Sequence, residues 1–200
     1  MQKRSRLLFF IWGSVAATIL ALAVLLFVAQ IIRSRAKPAV YGQVPDFTFI
    51  KQDGQPFGLK DMLGKVSVVD FIFTSCREEC PAMTSKMAEL YNLFENANDV
   101  HFVSISVDPT RDSLSVLQKY AADNGVADER WTFLWHPIDD IAWLSEKGFL
   151  LAAKDLPENH SNRFILVDQT GRIRGYYDFA DGVSMAHLIG DIRQLSKKTS

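Results

Sequence analysis

Two near-continuous apolar runs constrain the fold of this chain more than any other feature. They are VSVVDFIF (Val66–Phe73) and VHFVSISV (Val100–Val107). Each has the length of a strand, and apolar residues at successive positions predict strands that are covered on both faces. A predicted helix follows each run, at Met83–Asn96 and at Asp112–Asn124. Strands that alternate with helices in this way predict an α/β sandwich.

The remaining segments predict that the central sheet of this sandwich is mixed. Phe47–Ile50 and Phe57–Leu59 flank an Asp-Gly turn and predict a strand followed by a short strand. Arg163–Asp168 and Arg172–Tyr177 flank a Gln-Thr-Gly turn and predict an antiparallel hairpin. Three further elements are predicted, a short strand at 131–135 and helices at 139–148 and 184–195. Three tryptophans are expected in the core: Trp131, Trp135 and Trp143.

An uncharged run of 26 residues, Leu7–Ile32, predicts a transmembrane helix. The hydrocarbon core of a bilayer requires about 20 apolar residues in a helix, whereas a cleaved signal peptide has an apolar region of only about 7–15 residues. Residues 1–6 are then a cytoplasmic stub, residues 33–45 a linker, and residues 46–200 the folded domain. Basic residues flank the run equally on both sides, so charge alone does not decide its orientation.

The charge of the predicted domain argues against a nucleic-acid partner. The first 38 residues contain six of the 22 Lys and Arg residues and no acidic residue, so the rest of the chain has a net charge of −7. Proteins that bind nucleic acids depend on clustered Lys and Arg to contact phosphate groups. We attribute the excess of acidic residues to ordinary solubility.

Both cysteines of the chain lie in FIFTSCREECPAM, at positions 76 and 80. If Cys76–Cys80 were helical, both side chains would lie on one face, and Pro81 is well tolerated in a first helical turn. A helix N-terminus stabilises thiolate, so low thiol pKa values are expected, which suit both disulfide exchange and metal binding. A structural disulfide is disfavoured because closing so short a loop removes little entropy from the unfolded chain. Two unreacted core thiols are the other alternative.

Three motifs in order resemble the SCO/SenC family of membrane-anchored copper proteins. The strand VVDFIF followed by a cysteine resembles the thioredoxin superfamily as a whole, but the C-x-x-C of thioredoxin is absent, and Phe73 replaces the threonine of peroxiredoxins. The C-x-x-x-C-P arrangement resembles the SCO/SenC site, and SVDPTRD (Ser106–Asp112) resembles the SVDP segment of that family. NHSNRFILVDQTGRIRGYY (Asn159–Tyr177) resembles its histidine loop and hairpin. The similarity extends over about residues 44–195.

The resemblance implies a thioredoxin-like domain that binds copper through Cys76, Cys80 and His160. Soft thiolates select Cu(I), and imidazole suits either oxidation state of copper, so this set of ligands is chemically adequate. Asp108, which matches the aspartate of the SVDP segment, is a secondary candidate near the site. Zinc, with water or Asp108 as a fourth ligand, is the alternative metal.

His160 is the strongest ligand candidate among the four histidines. It lies in LPENHSN, directly before a predicted strand, and in a thioredoxin-like fold this loop faces the cysteine loop. A loop histidine alone is often a surface residue, so this assignment depends on the resemblance. His136 is a weaker candidate, and His101 and His187 are expected in packing or surface roles.

The resemblance also implies a function in the assembly of cytochrome c oxidase. The protein is expected to deliver copper to the CuA site, or to keep the cysteines of that site reduced, so its partner is the CuA-bearing subunit or another copper protein. The alternatives are a membrane-anchored thiol–disulfide reductase that uses the Cys76/Cys80 couple, with Cys76 as nucleophile, and a redox or copper sensor. Disulfides persist outside the cytoplasm, so the domain is expected on the periplasmic side of a bacterial cytoplasmic membrane.

Overall fold

The computed structural model describes residues 12, 14–15, 17–26, 38–77 and 79–196. The chain divides into two compact units, Met1–Lys37 and Pro38–Ser200. All described residues of the first unit are helical, but no helix built from described residues is long and apolar enough to cross a membrane. The predicted transmembrane helix at 7–32 lies partly outside the described residues and the stub at 1–6 wholly outside them, so both stay predictions.

The second unit is built around one sheet with helices on both sides. In chain order its strands are β1 (Gly42–Gln43), β2 (Thr48–Lys51), β3 (Pro56–Gly58), β4 (Val66–Ile72), β5 (Val100–Ser106), β6 (Trp131–Trp135), β7 (Arg163–Val167) and β8 (Arg172–Asp178). Its helices are α1 (Leu59–Met62), α2 (Glu79–Leu93), α3 (Leu114–Asp123), α4 (Ile138–Trp143) and α5 (Gly182–Ser196). A π-helical turn, Leu144–Gly148, follows α4.

The sheet is mixed, as the sequence predicts. Its strand order is β1-β8-β7-β4-β5-β6-β2-β3. The central strands β4, β5 and β6 are parallel neighbours. The β7–β8 hairpin pairs antiparallel with β4, and the β2–β3 hairpin pairs antiparallel with β6. The fold class predicted from the alternation of strands and helices is therefore confirmed for this unit.

Each face of the sheet has its own hydrophobic core, because side chains alternate along every strand. On β4, Val68 and Ile72 face a core that α2, α3 and α5 cover. Val69 and Phe71 face the opposite core, to which α1, α4 and the π-helical turn contribute. All seven residues of β4 are buried, which explains why its sequence is a continuous apolar run rather than an alternating one.

Two helices differ from their predicted extents. α2 begins at Glu79, four residues before the predicted start, and Pro81 occupies its first turn, where a missing N–H is tolerated. The segment predicted as one helix at 139–148 is α4 plus the π-helical turn. The prediction that Trp143 lies in the core is wrong, because Ile141 and Leu144 take the buried face and Trp143 is 49% exposed.

The folded unit begins before the predicted linker ends. Residues 33–37 of that linker lie outside the described part of the chain. Gly42 and Gln43 form β1 and pair with β8, and Val44 is 1% exposed. The guanidinium of Arg174, which is buried, donates hydrogen bonds to the carbonyl oxygens of Pro38 and Ala39. Residues from Pro38 onward are therefore part of the domain.

Candidate metal centre

Two loops at one edge of the sheet bring the predicted ligands together. β4 and β7 are antiparallel neighbours, with Val69 opposite Ile165, so the end of β4 lies beside the start of β7. Cys76 comes four residues after β4, and Cys80 lies in the first turn of α2. His160 comes three residues before β7. The antiparallel pairing therefore places the histidine loop against the cysteine loop.

Cys76, Cys80 and His160 offer three ligand atoms that all lie within 4.8 Å of one another. Cys80 Sγ is 3.3 Å from His160 Nε2. The backbone N–H of Cys80 donates to Cys76 Sγ, with 3.5 Å between nitrogen and sulfur. The two cysteines are reduced in this structure rather than joined in a disulfide. Cys76 itself lies before the first turn of α2 rather than within the helix, and the helix directs a backbone N–H at its sulfur.

The far side of the His160 ring is fixed by two contacts. Nδ1 lies 3.1 Å from the carbonyl oxygen of Ser161. Because a carbonyl oxygen only accepts, Nδ1 carries the proton, and the lone pair of Nε2 faces Cys80 Sγ. The ring also meets the Phe73 ring edge-on, with centroids 5.4 Å apart and an interplanar angle of 89°. In this orientation Nε2 points at Cys80 Sγ and is the ring nitrogen that would coordinate a cation.

Burial keeps the inner part of the site uncharged. It raises the pKa of the Cys80 thiol above its usual value, and the neighbouring Cys76 sulfur raises it further. Burial also lowers the pKa of His160, which favours the neutral imidazole that a metal requires. The expectation that a helix N-terminus gives a low thiol pKa is therefore wrong for Cys80, because burial disfavours its thiolate.

The two sulfurs differ in their access to solvent. Cys80 is 1% exposed, whereas Cys76 is half-buried. Cys76 and His160 line an open cleft of about 690 Å³. The cleft walls are otherwise mostly polar and carry charges of both signs, from Phe73, Ser75, Arg77, Glu79, Glu158, Asn159, Ser161 and Asn162. The site is therefore open to solvent on the side of Cys76 and His160.

Asp108 is not part of the group formed by Cys76, Cys80 and His160. Its buried carboxylate accepts hydrogen bonds from Thr110 Oγ1 at 2.7 Å and from Arg111 at 3.2 Å. Both partners belong to the loop that contains Asp108, so its oxygens are engaged locally.

The other histidines that the sequence offers lie in different surroundings. His136 stacks on Phe49, with ring centroids 4.5 Å apart, and its Nδ1 lies 3.0 Å from the carboxylate of Asp140. His101 lies on β5, where burial lowers its pKa to about 4. His187 is exposed on α5.

Two residues near the centre were missed by the sequence reasoning, Asp112 and Thr74. The Asp112 carboxylate bonds Thr74, two residues before Cys76. Asp112 lies within SVDPTRD, so the motif was noticed but its last aspartate was not. The pattern of residues shows no sign of this contact, because 38 positions separate the two residues.

Comparison with known proteins decides the family. Residues 36–197 match the model of the SCO1/SenC family. The chain belongs to the SCO1/SenC family. The resemblance carried by the three sequence motifs is thereby confirmed. Among SCO1/SenC relatives, the SCO1 protein homolog of Bacillus subtilis is 33% identical over 161 residues, which cover 77% of this chain and 83% of that protein.

Solved structures of SCO1/SenC members have the same fold. A SCO1/SenC family lipoprotein from Bacillus anthracis matches with a TM-score of 0.73 and 34% identity, over 80% of this chain and 98% of that one. BsSco matches with a TM-score of 0.72 and 30% identity, over 82% of this chain and 99% of that one. BsSco is a member of the Sco family of cytochrome c oxidase assembly proteins, and a disulfide switch was identified in it. Arabidopsis thaliana ScoI with copper bound shares the fold at 23% identity, with a TM-score of 0.60, over 76% and 98%.

Proposed function

We propose that this SCO1/SenC protein binds one copper ion through Cys76, Cys80 and His160. The observation that carries the proposal is the cluster of two sulfurs and one imidazole nitrogen within 4.8 Å, contributed by the turn after β4, the first turn of α2 and the loop before β7. Two thiolates and an imidazole match the preference of Cu(I) for soft ligands. A structural zinc site usually has four protein ligands, and the described residues place no fourth ligand in this group.

We infer that the copper is cargo for the CuA site of cytochrome c oxidase. A site of three ligands that opens into a polar cleft leaves room for a ligand of the recipient to join before the first ones leave. The proposal is supported by family membership and by BsSco, which belongs to a family of cytochrome c oxidase assembly proteins. The partner would be the CuA-bearing subunit or another copper protein.

The ligand assignment is tested by Cu(I) binding to the reduced full chain under a competing chelator. His160→Ala removes one of three ligands and is expected to weaken binding strongly. His187→Ala is the matched control, because His187 is an exposed histidine on α5 outside the site. A His160→Ala variant that competes for Cu(I) as well as the wild type would refute the assignment.

Thiol–disulfide exchange is a second candidate function, favoured by the unequal exposure of the two cysteines. In this reaction Cys76, at the cleft, attacks a disulfide of the partner and forms a mixed disulfide. Cys80, buried beside it, then displaces the partner, so that two electrons pass to the partner and a Cys76–Cys80 disulfide remains. This function predicts that His160→Ala still reduces a test disulfide while Cys76→Ser does not. Loss of activity in both variants would exclude a function independent of His160.

We propose in addition that residues 7–32 anchor the domain in a bacterial cytoplasmic membrane, with residues 1–6 in the cytoplasm. The domain from Pro38 would then lie on the periplasmic side, where disulfides persist. The uncharged run supports this arrangement. Protease added to intact spheroplasts should digest the domain. A domain that is protected until the membrane is lysed would reverse the topology.

A further inference from the structure

Asp112 has a fully buried carboxylate that binds the turn preceding Cys76. Its side chain is 0% exposed. The carboxylate accepts hydrogen bonds from the Thr74 backbone N–H at 3.1 Å and from Thr74 Oγ1 at 2.5 Å. It accepts a third from Ser106 Oγ, at the end of β5, at 2.6 Å. The Asp112 carboxylate therefore links Thr74 to the neighbouring strand β5 through hydrogen bonds.

Thr74 belongs to the short turn that carries part of the metal centre. The backbone N–H of Cys76 donates to the Phe73 carbonyl oxygen at 3.3 Å and closes this turn. Cys76 lies at one end of the turn, and its sulfur accepts from Cys80 N–H. Phe73 lies at the other end, and its ring packs edge-on against His160. A displacement of the turn therefore moves Cys76 and the ring that supports His160 together.

The contact with Asp112 has the features of a strong restraint. Thr74 lies in the turn between β4 and α2 and belongs to neither element. Hydrogen bonds to a buried carboxylate are stronger than neutral ones. Removing this acceptor would leave the Thr74 donors without their partner. By contrast, the carboxylate of Asp108, the other buried aspartate of this motif, accepts from Thr110 and Arg111 of its own loop.

We propose that Asp112 is a positioning residue for the candidate metal centre. Its carboxylate holds the Phe73–Cys76 turn so that Cys76 Sγ and His160 Nε2 stay within coordinating distance of Cys80 Sγ. The effect on copper rests on the proposed function. The same restraint also sets how closely the two thiols approach, which is a property of the metal-free protein.

The test measures Cu(I) affinity and thermal unfolding of the full chain for Asp112→Asn and Thr74→Val. Asparagine keeps the size of Asp112 but replaces one acceptor oxygen with a donor, so we expect Cu(I) binding to weaken by about 10- to 100-fold. Thr74→Val removes the hydroxyl donor and keeps the N–H, so its effect should be smaller. Thr74→Ser keeps the hydroxyl that Thr74→Val lacks, so its Cu(I) affinity should equal that of the wild type. Because both changes act on one contact, their combined effect should be less than additive.

Asp168→Asn is the matched control for a purely structural effect. Asp168 is also a buried carboxylate, 3% exposed, and accepts from Thr170 and Arg174. His160 precedes β7 and Asp168 follows it. The five residues of β7 span roughly 17 Å, so the two side chains lie at opposite ends of the strand. Asp168→Asn should lower stability without changing Cu(I) affinity. The proposal is overturned if Asp112→Asn binds Cu(I) as tightly as the wild type, or if Asp168→Asn weakens binding equally.

A second readout separates this proposal from the copper function. In a glutathione buffer, oxidation of Cys76 and Cys80 to the disulfide transfers two electrons and two protons to glutathione disulfide, which becomes two glutathione thiols. A looser turn lowers the effective concentration of one thiol at the other, so the equilibrium constant should fall in Asp112→Asn but not in Asp168→Asn. If the wild type does not bind copper, the proposed copper function is refuted. The thiol–disulfide equilibrium with glutathione then tests the positioning role of Asp112 by itself.

Discussion

Asp70 lies in an environment that disfavours its charge. It lies in the middle of β4, is 0% exposed, and faces the same core as Val68 and Ile72. Neither carboxylate oxygen lies in hydrogen-bonding geometry with a described residue. Burial raises the pKa of Asp70 to about 7. Near neutral pH this carboxyl therefore takes up a proton readily.

This environment predicts how stability depends on pH. Because the pKa of Asp70 in the folded state lies above the ordinary carboxyl value, the native state holds the proton to higher pH than the unfolded state does. The free energy of unfolding should therefore fall as the pH rises from about 4 to about 7. In Asp70→Asn this contribution disappears, so the variant should gain stability relative to the wild type across that interval. Urea unfolding under reducing conditions measures the difference, and a difference that does not change with pH would contradict the prediction.

Among the strands and helices, those with long apolar runs were predicted from the sequence, and the shortest described strand was not. β4 and β5 were predicted from long apolar runs that leave few alternatives. β1 was not predicted, because two residues have no periodicity, and its position depends on pairing with β8. Trp143 was misplaced for a similar reason, since which face of the short helix α4 packs inward depends on its neighbours.

Substitution of two glycines by alanine, at positions 58 and 190, should change stability in opposite directions. A Cβ at Gly58, where α1 begins, would overlap the carbonyl oxygen of Phe47 in the chain beside it. Gly58→Ala should therefore destabilise the domain by about 1–3 kcal/mol. A Cβ at Gly190, in the exposed face of α5, meets nothing within 4 Å. Gly190→Ala should stabilise by about 0.5–1 kcal/mol, because alanine loses less backbone entropy in a helix. Equal effects in chemical denaturation would contradict both assignments.

At the scale of the whole molecule, the sheet assembles a site that the sequence reveals only in part. The cysteine pair is local and stands out in the sequence, whereas His160 lies 80 positions after Cys80 and was assigned through the resemblance. The pairing of β4 with β7 supplies the missing proximity. The raised pKa of Cys80 depends on its burial, and the role of Asp112 depends on its contacts with Thr74 and with Ser106 of β5; no local pattern encodes either.

The proposed copper site consists of two cysteine sulfurs and one histidine nitrogen. X-ray absorption at the copper edge of the Cu(I)-loaded full chain measures that ligand set directly. We expect two sulfur ligands and one nitrogen ligand per copper in the wild type, with the nitrogen lost in His160→Ala and retained in His187→Ala. A spectrum with only nitrogen and oxygen ligands, or one unchanged in His160→Ala, would contradict it.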